Sequence, residues 1–368
     1  MKQEVVFPFY ARLAFILIIL LLFGYFAILG ERIIIPLLFS FLFAVLLLPA
    51  VNFMENKLHF SRTASSIVAV LLFVIGLFLL VYVIAAQIGS MLQDWPLFKS
   101  QMRILFYNMQ LWLNSHWHID IEKQLNYINS TTESLSHSGT AILGKTVLSL
   151  SSLLLFLVFI FLYTFFMLLY RRLLVRFITV AFEQKAAPII ADIIIQVKHI
   201  IRSYVVGLFF EMLIVSAVAI TVFLMLGIKY AFLLGLIVGV FNVVPYVGIF
   251  TALVISALVT IATSIPIHAV YVAITVVIIH LVDSNFLMPK IVGSHVQINP
   301  LIVVLGVVVG ELLWGISGMF LAIPYLAITK VVFDRIEGLQ PWGILLGDEE
   351  KLPARARPLN RWLKKKTK

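Results

Sequence analysis

Residues 231 to 250 read AFLLGLIVGVFNVVPYVGIF, an apolar stretch interrupted in its second half by Asn242, Pro245 and Gly248. About 20 apolar residues suffice to cross a bilayer as one helix. Pro245 has no backbone N–H and its ring collides with the preceding turn, so a helix must break or kink there. In hydrocarbon each backbone group freed by the break costs several kcal/mol, so a break survives only where protein or a polar cavity surrounds it. The pattern therefore predicts a polar route at membrane depth. Discontinuous helices near the midplane are the strongest sequence pointer to a transporter's binding site.

A second fragment has the same spacing. Gly239, Phe241, Pro245 and Tyr246 form G-x-F-x-x-x-P-Y, and Gly318, Phe320, Pro324 and Tyr325 repeat it 79 positions later. Another Gly precedes each copy, at Gly235 and Gly315. This reads as a weak internal repeat, and the second copy predicts a second break near 315–325.

Composition sets the medium. The chain is 62% hydrophobic and 12% charged, with a mean hydropathy of +1.10. Soluble domains carry about 25% charged residues, so this is an integral membrane protein. With no cysteine, disulfides, thiolate metal sites and cysteine nucleophiles are excluded. The sequence predicts neither a metal site nor a cofactor, and no H-E-x-x-H or G-x-S-x-G motif points to an enzyme.

Apolar spans are expected at 13–30, 33–51, 64–88 and 146–170. The first has no cleavage motif after it and reads as an anchor rather than a signal peptide. Residues 89–145 are polar and Trp-containing, with Leu105, Met109, Trp112 and Leu113 at helical spacing. In 171–206, Ile189, Ile193, Val197, Ile200, Ile201 and Tyr204 share a face while Asp192, Gln196, His199 and Arg202 fall elsewhere, the pattern of an amphipathic helix.

Positive residues orient the chain. Loops 52–63 and 171–206 carry two and six Lys or Arg, and the last 18 residues carry eight, whereas the 57-residue segment 89–145 carries four. Both termini are thus expected in the cytoplasm and 89–145 on the other side. The basic tail reads as a solvated end that touches anionic lipid; without a nucleic-acid-binding fold beside it, no nucleic-acid partner is expected.

The span at 267–282 ends in Asp283-Ser-Asn285, with Pro289 and Gly293 following. An ionised Asp at a helix centre costs about 3 kcal/mol on insertion scales, so Asp283 and Asn285 read either as a polar helix end or as a ligand contact. Glu211, Glu311 and His280 also stand in apolar context and are candidates for proton coupling. Gly235-x-x-x-Gly239 and Gly306-x-x-x-Gly310 suit close helix packing.

Together, Asn242-x-x-Pro245-Tyr246-x-Gly248, Asp283-x-Asn285-x-x-x-Pro289-x-x-x-Gly293, Asn299-Pro300, Gly315-x-x-Gly318 with Ile323-Pro324, and Arg202-x-Tyr204-x-x-Gly207 resemble the autoinducer-2 exporter (AI-2E) family of bacterial membrane proteins. The resemblance covers nearly the whole chain. It implies a polytopic transporter, a homo-oligomer such as a pentamer, and a mobile domain carrying substrate against a scaffold. Some family members are linked to autoinducer-2 export and others to sodium–proton exchange, so membership leaves the cargo open.

Gly139 to Thr146 fits G-x-x-x-x-G-K-T, but the polar run before it and the transmembrane span after it deny a P-loop its strand and soluble helix. Asn129-Ser130-Thr131 matches a glycosylation acceptor, relevant only in a eukaryotic secretory route.

The expectation is an all-α, polytopic protein of the bacterial inner membrane, with about seven or eight membrane segments, two of them broken or re-entrant in the C-terminal half. It divides into N-terminal scaffold spans (1–88), an extracytoplasmic helical insert (89–145), a fourth span (146–170), a cytoplasmic amphipathic helix (171–206), a transport core (207–335) and a basic tail (336–368). Asn242, Pro245, Tyr246, Gly248, Asp283, Asn285, Pro289 and Asn299 are the expected contacts for a small-molecule or ion substrate. The rivals to small-molecule export are cation–proton antiport and a non-transporting membrane scaffold; polar groups at broken helices argue against the scaffold.

Overall fold

The computed structural model describes residues 8–93, 154–182, 186–244, 247–287 and 298–347, together with scattered helical positions between 96 and 115. These residues form helices and no strand. In chain order the helices are α1 (Phe9–Leu29), α2 (Glu31–Lys57), α3 (Arg62–Gln93), α4 (Leu154–Leu169), α5 (Arg171–Ala181), α6 (Ala187–Met225), α7 (Ala231–Asn242), α8 (Val247–Thr263), α9 (Pro266–Val282), α10 (Pro300–Arg335) and α11 (Gln340–Leu346). One π turn, Asp283–Leu287, extends α9. Among the described residues five helices are long and apolar enough to cross a membrane, and the bent pair α4–α5 makes a sixth if taken as one span. The shorter apolar helices α1, α7 and α8 lie outside that count. Most of the predicted insert, with the P-loop-like and glycosylation-like motifs, lies outside the described residues, as does the basic tail. The third span stays helical past Ile88, to Gln93.

The chain forms two compact units, each assembled from separate stretches of sequence. The first comprises Met1–Leu58, Leu162–Tyr204 and His295–Lys368. Its centre is α10, which is not one helix. Trp314 leaves helical geometry and Gly315 takes φ +59°, a left-handed conformation that glycine adopts without a Cβ clash. Beyond this break the chain reverses. Gly318 packs on the Gly310 carbonyl and Leu326 lies over Gly306, so the two arms form an antiparallel hairpin. Pro324 stands buried inside the second arm; Gly315, and not Pro324, makes the break. The hairpin is tied to the N-terminal helices: Trp314 Nε1 donates to Ala27 O and Tyr325 Oη to Leu38 O, both at 2.9 Å. The Phe320 ring stacks on Phe39 at 5.3 Å and lies 6.4 Å from Tyr204.

In the same unit α5 leaves α4 at 68°. Arg171 holds the corner. Its Nη1 donates to Leu168 O at 2.9 Å, closing the C-terminus of α4, and its Nη2 reaches both carboxylate oxygens of Glu55 on α2 at 2.7 and 2.6 Å. The stretch 171–206, expected as one amphipathic helix, divides into α5 and the first half of α6, which then runs unbroken to Met225.

The second unit comprises His59–Phe161 and Val205–Ser294. Its core joins Val215, Ala219 and Phe223 of α6 to Leu234 and Val238 of α7, Ala252 and Val259 of α8, and Val272 and Val276 of α9. The helices α7, α8 and α9 pack consecutively against one another. Outside this core α3 carries Leu71, Leu72, Phe78 and Leu79 exposed, a surface suited to lipid.

Candidate functional site

Glycines set the geometry of the second unit. A Cβ on Gly235 would strike Ile220 of α6, including its backbone N at 2.7 Å, and a Cβ on Gly239 would strike Ser216 and the Met212 carbonyl oxygen at 2.7 Å. The α6 and α7 backbones therefore run antiparallel in direct contact, after a turn in which Gly227 takes φ +67°. The 12 residues of α7 rise only about 18 Å, against a hydrocarbon thickness of about 30 Å. Asn242, its last residue, thus sits where α7 stops short of a full crossing. The chain turns back at once: Gly248 packs on the Phe241 carbonyl, which brings α8 along α7.

At this turn three polar side chains from three helices meet. Asn242 Nδ2 donates to Glu211 Oε1 of α6 at 3.0 Å and to Asp283 Oδ2 at 2.9 Å. Asp283 opens the π turn at the end of α9. Such wide turns recur at functional sites because they re-aim a side chain within a helix. Glu211 and Asp283 are each 4% exposed. One amide thus uses both its N–H bonds to hold two buried carboxyl groups together. Their other oxygens, Glu211 Oε2 and Asp283 Oδ1, are buried without a hydrogen-bond partner among the described residues. An ionised carboxylate only accepts, and buried acceptors are rarely left unpaired. Glu211 and Asp283 also lie within hydrogen-bonding reach of each other, so a proton shared between them, a cation, or an N–H or O–H of a ligand would each satisfy these oxygens. No group of three or more His, Cys, Asp or Glu suited to a metal occurs among the described residues.

The other predicted residues separate from this cluster. Asn285 turns outward and donates to Leu281 O of its own helix at 2.7 Å. His280 is only within 3.4 Å of the Ser284 hydroxyl. Asn299 is a helix cap: its Oδ1 accepts from Leu301 N and its own N–H donates to Leu346 O, both at 2.9 Å. Glu311 is exposed on the first arm of the α10 hairpin, close to the Gly315 break. Pro245, Tyr246 and Pro289 lie outside the described residues. The two copies of the G-x-F-x-x-x-P-Y pattern are used differently. Gly239 and Phe241 precede the first break, whereas Gly318, Phe320, Pro324 and Tyr325 follow the second.

Sequence reasoning reached all three members of the cluster and put Asn242 and Asp283 at one site, but it did not join Glu211 to them. Glu211 lies 31 positions from Asn242, and Asp283 lies 41 from it. The available signal was that each is a polar group in an apolar stretch, one of them at a break. The Arg171–Glu55 corner and the bond from Trp314 to Ala27 left no such signal.

Comparison with known proteins places this architecture. The AI-2E family transporter profile matches residues 16–338. The chain belongs to the AI-2E transporter family. Among family relatives, Bacillus subtilis YrrI and YueF are named as candidate transport proteins. YrrI is 28% identical over 315 residues, covering 82% of this chain and 86% of YrrI. YueF is 24% identical over 337 residues, covering 88% of each. The AI-2 transport protein TqsA of Escherichia coli is 31% identical over 130 residues, covering 34% of this chain and 37% of TqsA. This AI-2E chain is accordingly a multi-pass membrane protein of a transporter family.

Proposed function

We propose that the chain is a secondary transporter of the bacterial inner membrane that exports a small polar molecule by alternating access, with autoinducer-2 as the leading cargo. One observation carries the reading: Asn242, at the tip of a half-length helix, bridges Glu211 and Asp283 and leaves two buried carboxylate oxygens open to a donor. A structural scaffold has no use for that arrangement, because polar groups at membrane depth are costly. A polyhydroxylated solute offers the O–H donors that the two oxygens lack. The similarity to TqsA, a protein named for AI-2 transport, supports the cargo. Both termini lie in the cytoplasm on this reading, and copies of the chain assemble through its exposed apolar helices.

A second reading, cation–proton antiport, draws on the same two carboxyl groups. A buried pair of acids around one amide can trade a proton for a cation.

Uptake into proteoliposomes separates the two. Autoinducer-2, other small polyols and sodium are each offered with and without an imposed pH gradient. Autoinducer-2 flux in the wild type, lost in Asn242→Ala, supports export. Sodium-dependent proton movement without solute flux selects antiport. No flux of any kind in well-folded protein overturns both.

A further inference from the structure

The first unit holds a cavity of about 1280 Å³ that the transport reading leaves unused. Its walls come from the C-terminal ends of α2, α4 and α10, the first half of α6, and α5 lying across them. They are mainly apolar, with Leu48, Ile190, Ile193, Ile194 and Val332 among them. The volume exceeds the roughly 300–1,000 Å³ of pockets for small ligands.

The charges at this cavity are unevenly neutralised. Arg171 is paired with Glu55, and Arg335 with Asp192. Arg172, Arg176 and Lys198 also line the cavity and are exposed, and their side chains have no ion pair or hydrogen bond among the described residues. Arg172 and Arg176 stand one turn apart on α5. Glu337 is the one lining acid outside those pairs, so the unpaired charge is net positive.

The position of α5 identifies the medium outside. It turns 68° from the apolar helix α4, and its opposite stripe, Leu173, Phe177 and Val180, is exposed at 62%, 68% and 74%. A short helix with basic residues and an exposed apolar stripe lies in the membrane interface. An amphiphile already in the bilayer can therefore enter without crossing water.

We propose that this cavity is a binding site for an anionic phospholipid. The acyl chains fill the space between α2, α6 and α10, and the phosphate meets Arg172, Arg176 and Lys198. A free polar solute would find too little polar wall, and a zwitterionic lipid would leave the positive excess uncompensated. The site needs only the membrane location of the chain and stands apart from the identity of the cargo.

The test uses full-length protein in nanodiscs of equal phosphatidylglycerol and phosphatidylcholine, followed by native mass spectrometry of retained lipid. Wild type should retain phosphatidylglycerol in preference. The triple variant Arg172→Gln, Arg176→Gln, Lys198→Gln should lose that preference by about tenfold or more, as expected for three basic residues at an anionic surface. Trp at three lining positions, Leu48→Trp, Thr179→Trp and Ile194→Trp together, keeps the charges and obstructs the cavity, so this variant should also lose the retained lipid; this separates insertion from surface adsorption. Circular dichroism and monodispersity of each variant check folding. Equal retention of the two lipids by wild type, or unchanged phosphatidylglycerol in well-folded variants, overturns the proposal. Loss of the preference in the charge variant with full retention in the well-folded tryptophan variant overturns the inserted site in favour of a surface patch.

Discussion

The Asn242 side chain donates to Asp283 Oδ2 at 2.9 Å across 41 residues of sequence, and the same nitrogen reaches Glu211. Two acids that would repel one another are held by one amide. Removing that amide leaves two buried carboxyl oxygens without their donor, and each such loss costs about 1–3 kcal/mol. Asn242→Ala should therefore lower the thermal midpoint of detergent-solubilised protein and reduce transport by about tenfold or more. Asn242→Asp, which adds a third acid, should be worse on both counts. Wild-type transport by a folded Asn242→Ala protein would remove the cluster from the substrate path.

Glu211→Gln and Asp283→Asn should not behave independently. Both acids hang on one donor, so the double variant should depart from additivity by about 0.5–3 kcal/mol in unfolding free energy. A thermodynamic cycle from chemical denaturation reads this. Asn285→Ala serves as the control, since its amide bonds only to Leu281 O; it should leave the coupling unchanged.

Close backbone approach predicts which glycines tolerate a methyl group. A Cβ at Gly248 would overlap the Phe241 carbonyl, and one at Gly318 the Gly310 carbonyl. Backbone atoms cannot rotate aside, so Gly248→Ala and Gly318→Ala should destabilise the fold by about 1–3 kcal/mol or more. At Gly24 and Gly76 a Cβ meets nothing within 4 Å. Alanine there should stabilise the helix by about 0.5–1 kcal/mol. Thermal unfolding of the four variants in one detergent makes the comparison.

Arg171 joins two carbonyl and carboxylate partners that lie in different directions. Its side chain is 17% exposed and that of Glu55 12%, so breaking the pair strands a largely buried charge. Arg171→Ala should cost about 3–5 kcal/mol and loosen α5 from α4. Arg171→Lys should rescue little, because an ammonium cannot serve both groups with a planar fork. Spin labels on α4 and α5 should report a broader distance distribution in Arg171→Ala than in wild type.

The proposed orientation puts Ser115 outside the cytoplasm. With no native cysteine, Ser115→Cys gives a single reactive site. It should react with a membrane-impermeant thiol reagent in intact cells. Labelling only after permeabilisation would invert the topology.

Much of the fold was legible because it depends on local chemistry. Uninterrupted apolar runs define spans, and a proline with a glycine three residues on marks a break, whatever the rest of the molecule does. Glu211, Asn242 and Asp283 each stood out alone because a polar group in an apolar run is costly. Asn285 stood out for the same reason, yet its amide caps its own helix. Periodicity along 171–206 ran through the end of α5 at Ala181 without showing it, and it gave no sign of the corner before α5, since Arg171 makes that corner by reaching Glu55, 116 residues away.

The sequence by itself determined the medium, the helical class and the first break, because hydropathy and proline geometry act over a few residues. It did not determine which break-making residue wins in the second hairpin. Pro324 carries the stronger local signal, but α10 turns at Gly315, where Trp314 bonds to Ala27 and Gly310 meets Gly318. Only the tertiary structure decided that Glu211 and Asp283 share the Asn242 amide as donor. Their meeting depends on α6 and α7 touching along Gly235 and Gly239, and on the π turn aiming Asp283. Those are properties of helices in contact, and spacing along a single chain does not encode them.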